Sequence, residues 1–120
     1  MEIKMKIDNR EGKLKNLFNS EPEQFDIIYE NLDLGDIIIF DTSDITKQLI
    51  IERKSLNDLA SSIIDTRYKN QKKRLLEQYN RSQIYYIFEG NFETYNNTSI
   101  PLDTIKSCLI NTMIDRKSVV

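Results

Sequence analysis

Short apolar runs alternate with polar breaks along this chain, and the period of each run names an element. Ile3, Met5 and Ile7 recur at every second residue, so Glu2 to Ile7 predicts a strand with one apolar face. Asp8-Asn9-Arg10-Glu11 ends it, with Asp8 and Asn9 as candidate caps for a helix from about Glu11 to Asn19 striped by Leu14, Leu17 and Phe18. Ser20-Glu21-Pro22 stops that helix, because proline steers the preceding residue away from helical backbone. Phe25 to Tyr29 reads as a short strand. Asn31 to Gly35 then leads into the apolar strand Asp36 to Phe40, and a polar turn, Asp41 to Asp44, precedes a strand from about Lys47 to Arg53. Two strands joined by a short turn predict an antiparallel hairpin. That pairing sets Asp36, at the start of one strand, beside Glu52 to Lys54 at the end of the other.

The period then changes to that of a helix. Ser55 caps a segment from Leu56 to about Ile64, in which Leu56, Leu59, Ala60, Ile63 and Ile64 form a core face. Ser55-Leu56-Asn57-Asp58 also has the Ser-x-x-Asp form of a capping box, worth about 1 kcal/mol. Asp65 and Thr66 interrupt and recap. A second helix, Arg67 to about Asn80, has Tyr68, Leu75, Leu76 and Tyr79 as its apolar positions. Ser82 to Phe88 is a strand rich in β-formers, and Glu89 to Ser99 is polar and loop-like. Pro101 opens a last helix carrying Leu102, Ile105, Leu109, Ile110 and Met113 to about Ile114. Lys117-Ser118-Val119-Val120 looks like the start of a further strand, so a C-terminal continuation is expected.

Composition narrows the chemistry. The 120 residues are expected to form one domain, 1–120, and at 39% hydrophobic and 30% charged they can build one core. No apolar run approaches the ~20 residues that a membrane-spanning helix needs, so no membrane partner is expected. The single cysteine, Cys108, excludes an internal disulfide and favours an intracellular setting. The chain has no histidine, which removes Ser-His-Asp catalysis, histidine bases and ordinary zinc sites. A metal would be held mainly by oxygen, which points to Mg²⁺ or Mn²⁺. The net charge is −2, but it is unevenly spread: Arg67, Lys69, Lys72, Lys73, Arg74 and Arg81 face only Glu77 over Arg67 to Arg81. Such a stripe is commonly a solvated helix face. On a mildly acidic domain it also suits a nuclease, whose metal site is acidic and whose substrate groove is basic.

Side chains alternate faces along a strand, so Glu52 and Lys54 point one way and Arg53 the other. Charges at the end of a buried strand are costly without a partner or a task. Asp36 and Glu52 on adjacent strand ends could share one cation. The metal would neutralise a scissile phosphate and activate a bound water, while Lys54 oriented that water or stabilised developing charge. The plain alternative is a surface Glu-Arg-Lys where a strand exits. Arg53 is expected to pair with a carboxylate such as Asp8 or Glu11. Asp58 has capping as its structural alternative and could also help hold the metal shell, while Asp65 is explained by capping the second helix, Cys108 by core packing, and Tyr85 and Tyr86 by sheet packing.

Taken together, Gly35-Asp36, Glu52-Arg53-Lys54 and Asp58 form the pattern G-D-x(n)-E-R-K-x-x-x-D. It resembles the nuclease signature of the XPF/MUS structure-specific endonucleases. Ile7-Asp8-Asn9-Arg10-Glu11 is similar to that family's opening V-D-x-R-E. Ser61 to Tyr68 with Gln71, Lys72, Arg74 and Leu75, and Asn111-Thr112 before Ile114-Asp115, resemble the MUS branch most closely. The resemblance covers essentially the whole chain. It implies an α/β, restriction-endonuclease-like fold: a central mixed β-sheet flanked by α-helices. It implies a Mg²⁺- or Mn²⁺-dependent endonuclease that nicks branched DNA near branch points, at 3′ flaps, forks and nicked junctions, in repair or recombination. By position, Asp36 and Glu52 correspond to metal ligands and Lys54 to the catalytic lysine. Asp8, Arg10, Glu11, Arg53 and Asp58 correspond to supporting active-site residues. Arg67 and Gln71 fall in an R-x-x-x-Q segment near the site, and with Lys69, Lys72, Lys73 and Arg74 they are the expected DNA-binding residues. Family members usually add a C-terminal helix-hairpin-helix domain, absent from these 120 residues. They also pair, so a homodimer through the nuclease domain or a heterodimer with a non-catalytic partner is implied. The implied location is the nucleus of a eukaryotic cell, or the site of viral DNA replication.

Two other readings compete. One is a non-catalytic DNA-binding or scaffold subunit; the family's pseudonucleases have lost the signature, whereas Asp36, Glu52 and Lys54 are all present here. The other is a nuclease of the same fold with a different task, such as restriction or processing of viral replication intermediates.

Overall fold

A computed structural model of the chain describes residues 2–20 and 26–116, with side chains as far as 114. The elements in chain order are β1 (Ile3–Asp8), α1 (Gly12–Ser20), β2 (Ile27–Glu30), β3 (Ile37–Asp41), β4 (Asp44–Ser55), α2 (Leu56–Ile64), α3 (Arg67–Gln78), β5 (Ile84–Glu89) and α4 (Leu102–Arg116). Single turns of 3-10 helix at Arg81–Gln83 and Phe92–Thr94 flank β5. The strands lie in one sheet in the order β2-β1-β3-β4-β5. It is mixed: β1 runs parallel to β2 and antiparallel to β3, and β3 runs antiparallel to β4. The chain divides into two compact units at the Ile51–Glu52 bond, within β4.

In the first unit the register is continuous from strand to strand. Ile7 stands opposite both Tyr29 and Ile37, and Ile37 opposite Ile51. Ile7 and Ile50 are fully buried, with Ile37, Leu32 and Leu34 close behind. The expected hairpin forms, with a register irregularity between Phe40 and Asp41. Its turn is fixed by Asp41, whose carboxylate accepts from the Ser43 amide at 3.0 Å and the Ser43 hydroxyl at 2.7 Å. β4 is longer than its apolar run suggested, beginning at Asp44 and ending at Ser55. The register passes from Phe40 opposite Gln48 to Asp41 opposite Asp44, so the exposed Ile45-Thr46-Lys47 segment spans that irregularity. The helix expected from Glu11 begins at Gly12, and the short strand expected from Phe25 is described from Ile27. Phe25 and the Glu21-Pro22 break lie outside the described residues.

In the second unit α2 follows β4 without a gap. The Ser55 hydroxyl accepts from the Asp58 amide at 3.0 Å, so the cap read from sequence is made. Leu56, Leu59, Ala60, Tyr68, Leu75, Ile84, Tyr86, Ile105 and Leu109 are buried there. Helical period predicts Ile64 on the core face of α2, but it is 57% exposed, while Ser62, on the flank of that face, is 1% exposed. Thr66 holds the N-cap position of α3 in a left-handed backbone, φ 64°, without a side-chain cap bond, and the Asp65 carboxylate before it accepts from the Arg67 amide at 3.1 Å. α3 stops at Gln78 rather than Asn80, and β5 starts at Ile84 rather than Ser82. Tyr86 packs within the sheet as expected, stacking on Phe88 at 5.9 Å and meeting Tyr68 edge-on at 6.3 Å. α4 begins directly after Pro101, as that proline predicts. Lys117 to Val120 lie outside the described residues.

Candidate metal and nucleic-acid site

In the first unit the loop that delivers Asp36 is held by Asp8. Both oxygens of this 1% exposed carboxylate are filled. Oδ1 accepts from the Arg10 amide at 2.8 Å and from Arg10 Nε at 2.8 Å. Oδ2 accepts from the second guanidinium nitrogen at 2.7 Å and from the Leu32 amide at 2.9 Å. The same guanidinium donates to the Leu32 carbonyl at 3.2 Å. The guanidinium and the amides hold the Asp8 carboxyl far below the ordinary carboxylate range, against the opposing effect of burial. Rather than capping the first helix, as its position predicts, Asp8 closes a turn on Arg10 and holds the Leu32 amide. Backbone bonds continue the brace. Asn9 donates to the Glu30 carbonyl at 3.1 Å and Asp8 to the Asp36 carbonyl at 2.9 Å. Glu11 takes the Lys15 amide on its carbonyl at 3.0 Å, at the entry to α1.

Gly35 makes the approach to Asp36 possible. Its φ is +80°, and a Cβ there would sit 2.7 Å from Ile50 Cγ2, too close for any real side chain. The Asp36 amide then donates to the Ile51 carbonyl at 2.8 Å, the peptide unit that leads into Glu52. Asp36 is half-buried.

In the second unit Glu52 is 8% exposed at the start of the four residues that finish β4. Arg53 turns to the other face of the strand, as its period predicts. There its guanidinium pairs with Glu89 on β5, Nε to Oε1 at 2.8 Å and a terminal nitrogen to the same oxygen at 2.6 Å. Sequence reasoning named Asp8 or Glu11 for this role; Glu89, 36 residues away, had no local signal. Lys54 is half-buried and donates from Nζ to the Ser62 hydroxyl at 3.4 Å. Ser62 was not singled out from sequence, where it sits beside an apolar stripe. Asp58 contributes its amide to the Ser55 cap, and its side chain is exposed.

The donor set suits a hard cation. Carboxylates are the natural ligands of Mg²⁺ and Mn²⁺, and a Mg²⁺ site commonly needs only one or two from the protein, the rest coming from water and phosphate. Among the described residues no group of three or more His, Cys, Asp or Glu is gathered for a metal. Asp36 and Glu52 each offer carboxylate oxygens of the kind such a cation takes.

The basic residues of α3 do not form one stripe. At 100° per residue the helix buries Tyr68 and Leu75. Lys69 and Lys73, four apart, share one flank, and Arg67 and Arg74, seven apart, share the other. All four are exposed, and Arg67 Nε also pairs with Asp65 at 2.6 Å. Lys72 is turned inward. Its Nζ donates to the Thr112 hydroxyl at 2.7 Å and lies 4.4 Å from the centre of the Tyr68 ring. Thr112, fully buried, donates to the Cys108 carbonyl at 2.8 Å and is also bonded to the Tyr68 hydroxyl. Burial pushes the Tyr68 phenol well above its ordinary range, so it stays a neutral hydrogen-bonding group. Gln71 is half-buried with an enclosed side-chain oxygen.

Comparison with known proteins agrees with the motif reading. The ERCC4 domain model matches residues 7–119. A probable crossover junction endonuclease mus81 of Dictyostelium discoideum is 39% identical over 108 residues, 81% of this chain. The human structure-specific endonuclease subunit MUS81 is 38% identical over 65 residues, 54% of this chain. The chain spans only 11% of the length of either relative. Among solved structures, XPF from Aeropyrum pernix superposes with a TM-score of 0.71 at 23% identity, over 98% of this chain and 52% of that one. The same protein in complex with DNA gives a TM-score of 0.68. The mixed five-stranded sheet with flanking helices is thus the restriction-endonuclease-like fold of an XPF nuclease domain, and with the family model spanning nearly its whole length the chain belongs to the ERCC4 domain family.

Proposed function

We propose that this chain is the nuclease domain of a metal-dependent, structure-specific DNA endonuclease. It hydrolyses phosphodiester bonds near branch points such as 3′ flaps, forks and nicked junctions. The observation that carries the reading is the end of β4. There Glu52 is buried, Lys54 follows on the same strand face, and the preceding carbonyl, of Ile51, takes the amide proton of Asp36. In this reading Asp36 and Glu52 hold Mg²⁺ or Mn²⁺, which when bound supplies charge neutralisation at the phosphate and a more acidic water. Lys54 orients the water or meets charge developing on phosphorus. Arg53, tied to Glu89, keeps the end of β4 in line, and Asp8 with Arg10 holds the segment that carries Asp36. Glu11 supports the site from the entry to α1. Asp58 sits in the first turn of α2, where its amide donates to the Ser55 cap, and Gln71 is half-buried on α3.

The exposed Arg67, Lys69, Lys73 and Arg74 are suited to phosphates, whereas Lys72 supports the helix from inside. Pairing with a second chain is supported by the human relative, which is a structure-specific endonuclease subunit. It is also supported by the exposed Ile110, Met113 and Ile114, which share one face of α4.

The test is cleavage of end-labelled 3′-flap, fork and linear duplex DNA with Mg²⁺ and then Mn²⁺, using wild type beside Asp36→Asn. Flap or fork cleavage that needs the cation and is abolished in the variant is the expected result. Equal cleavage by both proteins would mean that Asp36 is not part of the site, and duplex cut as fast as flap would remove the structure specificity.

A further inference from the structure

A serine hydroxyl buried on the flank of an apolar helix face needs a reason. Ser62 is 1% exposed, while Ile64, two residues on, is 57% exposed. Burying a hydroxyl is unfavourable unless its hydrogen-bonding capacity is used. Here it is used twice. The hydroxyl donates to the Asp58 carbonyl one turn back at 2.8 Å, which fixes the direction of its proton. That leaves its lone pairs facing away from the helix backbone, and Lys54 Nζ donates to them at 3.4 Å. The helix that supplies Ser62 begins at the residue after Ser55, so Lys54 and its acceptor are joined by one capped strand-to-helix junction.

We infer that Ser62 is a positioning residue for Lys54, holding the ammonium at the end of β4 through a hydroxyl anchored on the Asp58 carbonyl. The inference rests on the proposed role of Lys54. An ammonium on a four-carbon stem has many rotamers, and one oriented acceptor removes most of that freedom. The main chain at position 58 both closes the Ser55 cap and orients Ser62. A charge-assisted bond at 3.4 Å is at the weak end of its class, so losing it should cost roughly tenfold in rate.

The experiment compares wild type, Ser62→Ala, Ser62→Thr and Lys54→Ala in two readouts on the full chain. The first is steady-state cleavage of a labelled flap. Ser62→Ala should lower kcat about tenfold with KM for DNA unchanged, and Ser62→Thr, which keeps the hydroxyl, should recover most of the loss. The second is the ¹⁵N-lysine side-chain spectrum, with the Lys54 signal assigned by its absence in Lys54→Ala. Proton exchange at Nζ should be slow in wild type and Ser62→Thr and fast in Ser62→Ala. Thermal unfolding of each variant separates loss of fold from loss of positioning. If Ser62→Ala cleaves like wild type and leaves the Lys54 signal unchanged, while Lys54→Ala is inactive, this inference is wrong and the reading of Lys54 stands. If Lys54→Ala cleaves at the wild-type rate, the reading of Lys54 itself fails. Should wild type not cleave, the Lys54 signal alone decides whether Ser62 holds the ammonium.

Discussion

Replacing Asp8 by alanine should destabilise the chain chiefly by stranding the Leu32 amide, and only secondarily by freeing Arg10. The structure sets the sizes. The Leu32 bond to Asp8 is buried, so its loss leaves an unsatisfied donor worth about 1–3 kcal/mol. The Arg10 side chain is 77% exposed and can return to water, so its two guanidinium bonds contribute about 1 kcal/mol at most. The sum for Asp8→Ala is about 1–4 kcal/mol, and for Arg10→Ala at most about 1 kcal/mol, because the amide donors to Asp8 remain. Urea unfolding at pH 7 gives both values. Hydrogen exchange adds a local readout, since the Leu32 amide should exchange faster in Asp8→Ala than in Arg10→Ala. The sign with pH follows from the depressed carboxyl. The folded chain keeps Asp8 ionised well below the point near pH 4 at which the unfolded chain protonates it. The contribution is therefore complete above about pH 4 and lost as pH falls through the folded value, so wild type and Asp8→Ala should converge only in strong acid. An Arg10→Ala cost equal to that of Asp8→Ala would refute the reasoning, because it would place the energy in the exposed ion pair.

Three further outcomes follow from other parts of the molecule. Gly35→Ala should cost about 2–5 kcal/mol in urea unfolding, the sum of a left-handed backbone and the contact with Ile50, and a loss under 0.5 kcal/mol would mean that the loop relaxes freely. Thr112→Val should cost about 2 kcal/mol by stranding the Tyr68 hydroxyl and removing the acceptor of Lys72, and adding Tyr68→Phe should recover only the Tyr68 part. Lys73→Ala should weaken DNA binding and lower the slope of log affinity against log salt by about 0.7–0.9, whereas Lys72→Met should leave that slope unchanged.

The local patterns were legible because they are local. Alternation along Ile3-Met5-Ile7, the Ser55 cap and Pro101 each name an element within a few residues, and each element forms there. The β3–β4 hairpin followed from one short turn, and with it the Asp36 amide bonding to the Ile51 carbonyl. What sequence did not yield is set by distant chain. Glu89 reaches Arg53 across 36 residues, and Thr112 reaches Lys72 across 40. A lysine in a basic run carries no mark of turning inward. Ser62 was hidden for a related reason: periodicity ranks positions by apolarity, and a buried hydroxyl with two partners is the case it scores as surface. The alternative partners named for Arg53 shared that weakness, since charge alone does not choose among carboxylates.

The most direct measurement on the account as a whole is Mn²⁺ binding by electron paramagnetic resonance, without DNA and without turnover. Wild type should deplete the free Mn²⁺ signal at about one site per chain, with Asp36→Asn and Glu52→Gln each weakening binding at least tenfold and Asp58→Asn leaving it unchanged. Equal Mn²⁺ affinity in wild type, Asp36→Asn and Glu52→Gln would contradict the claim that these two carboxylates hold the metal.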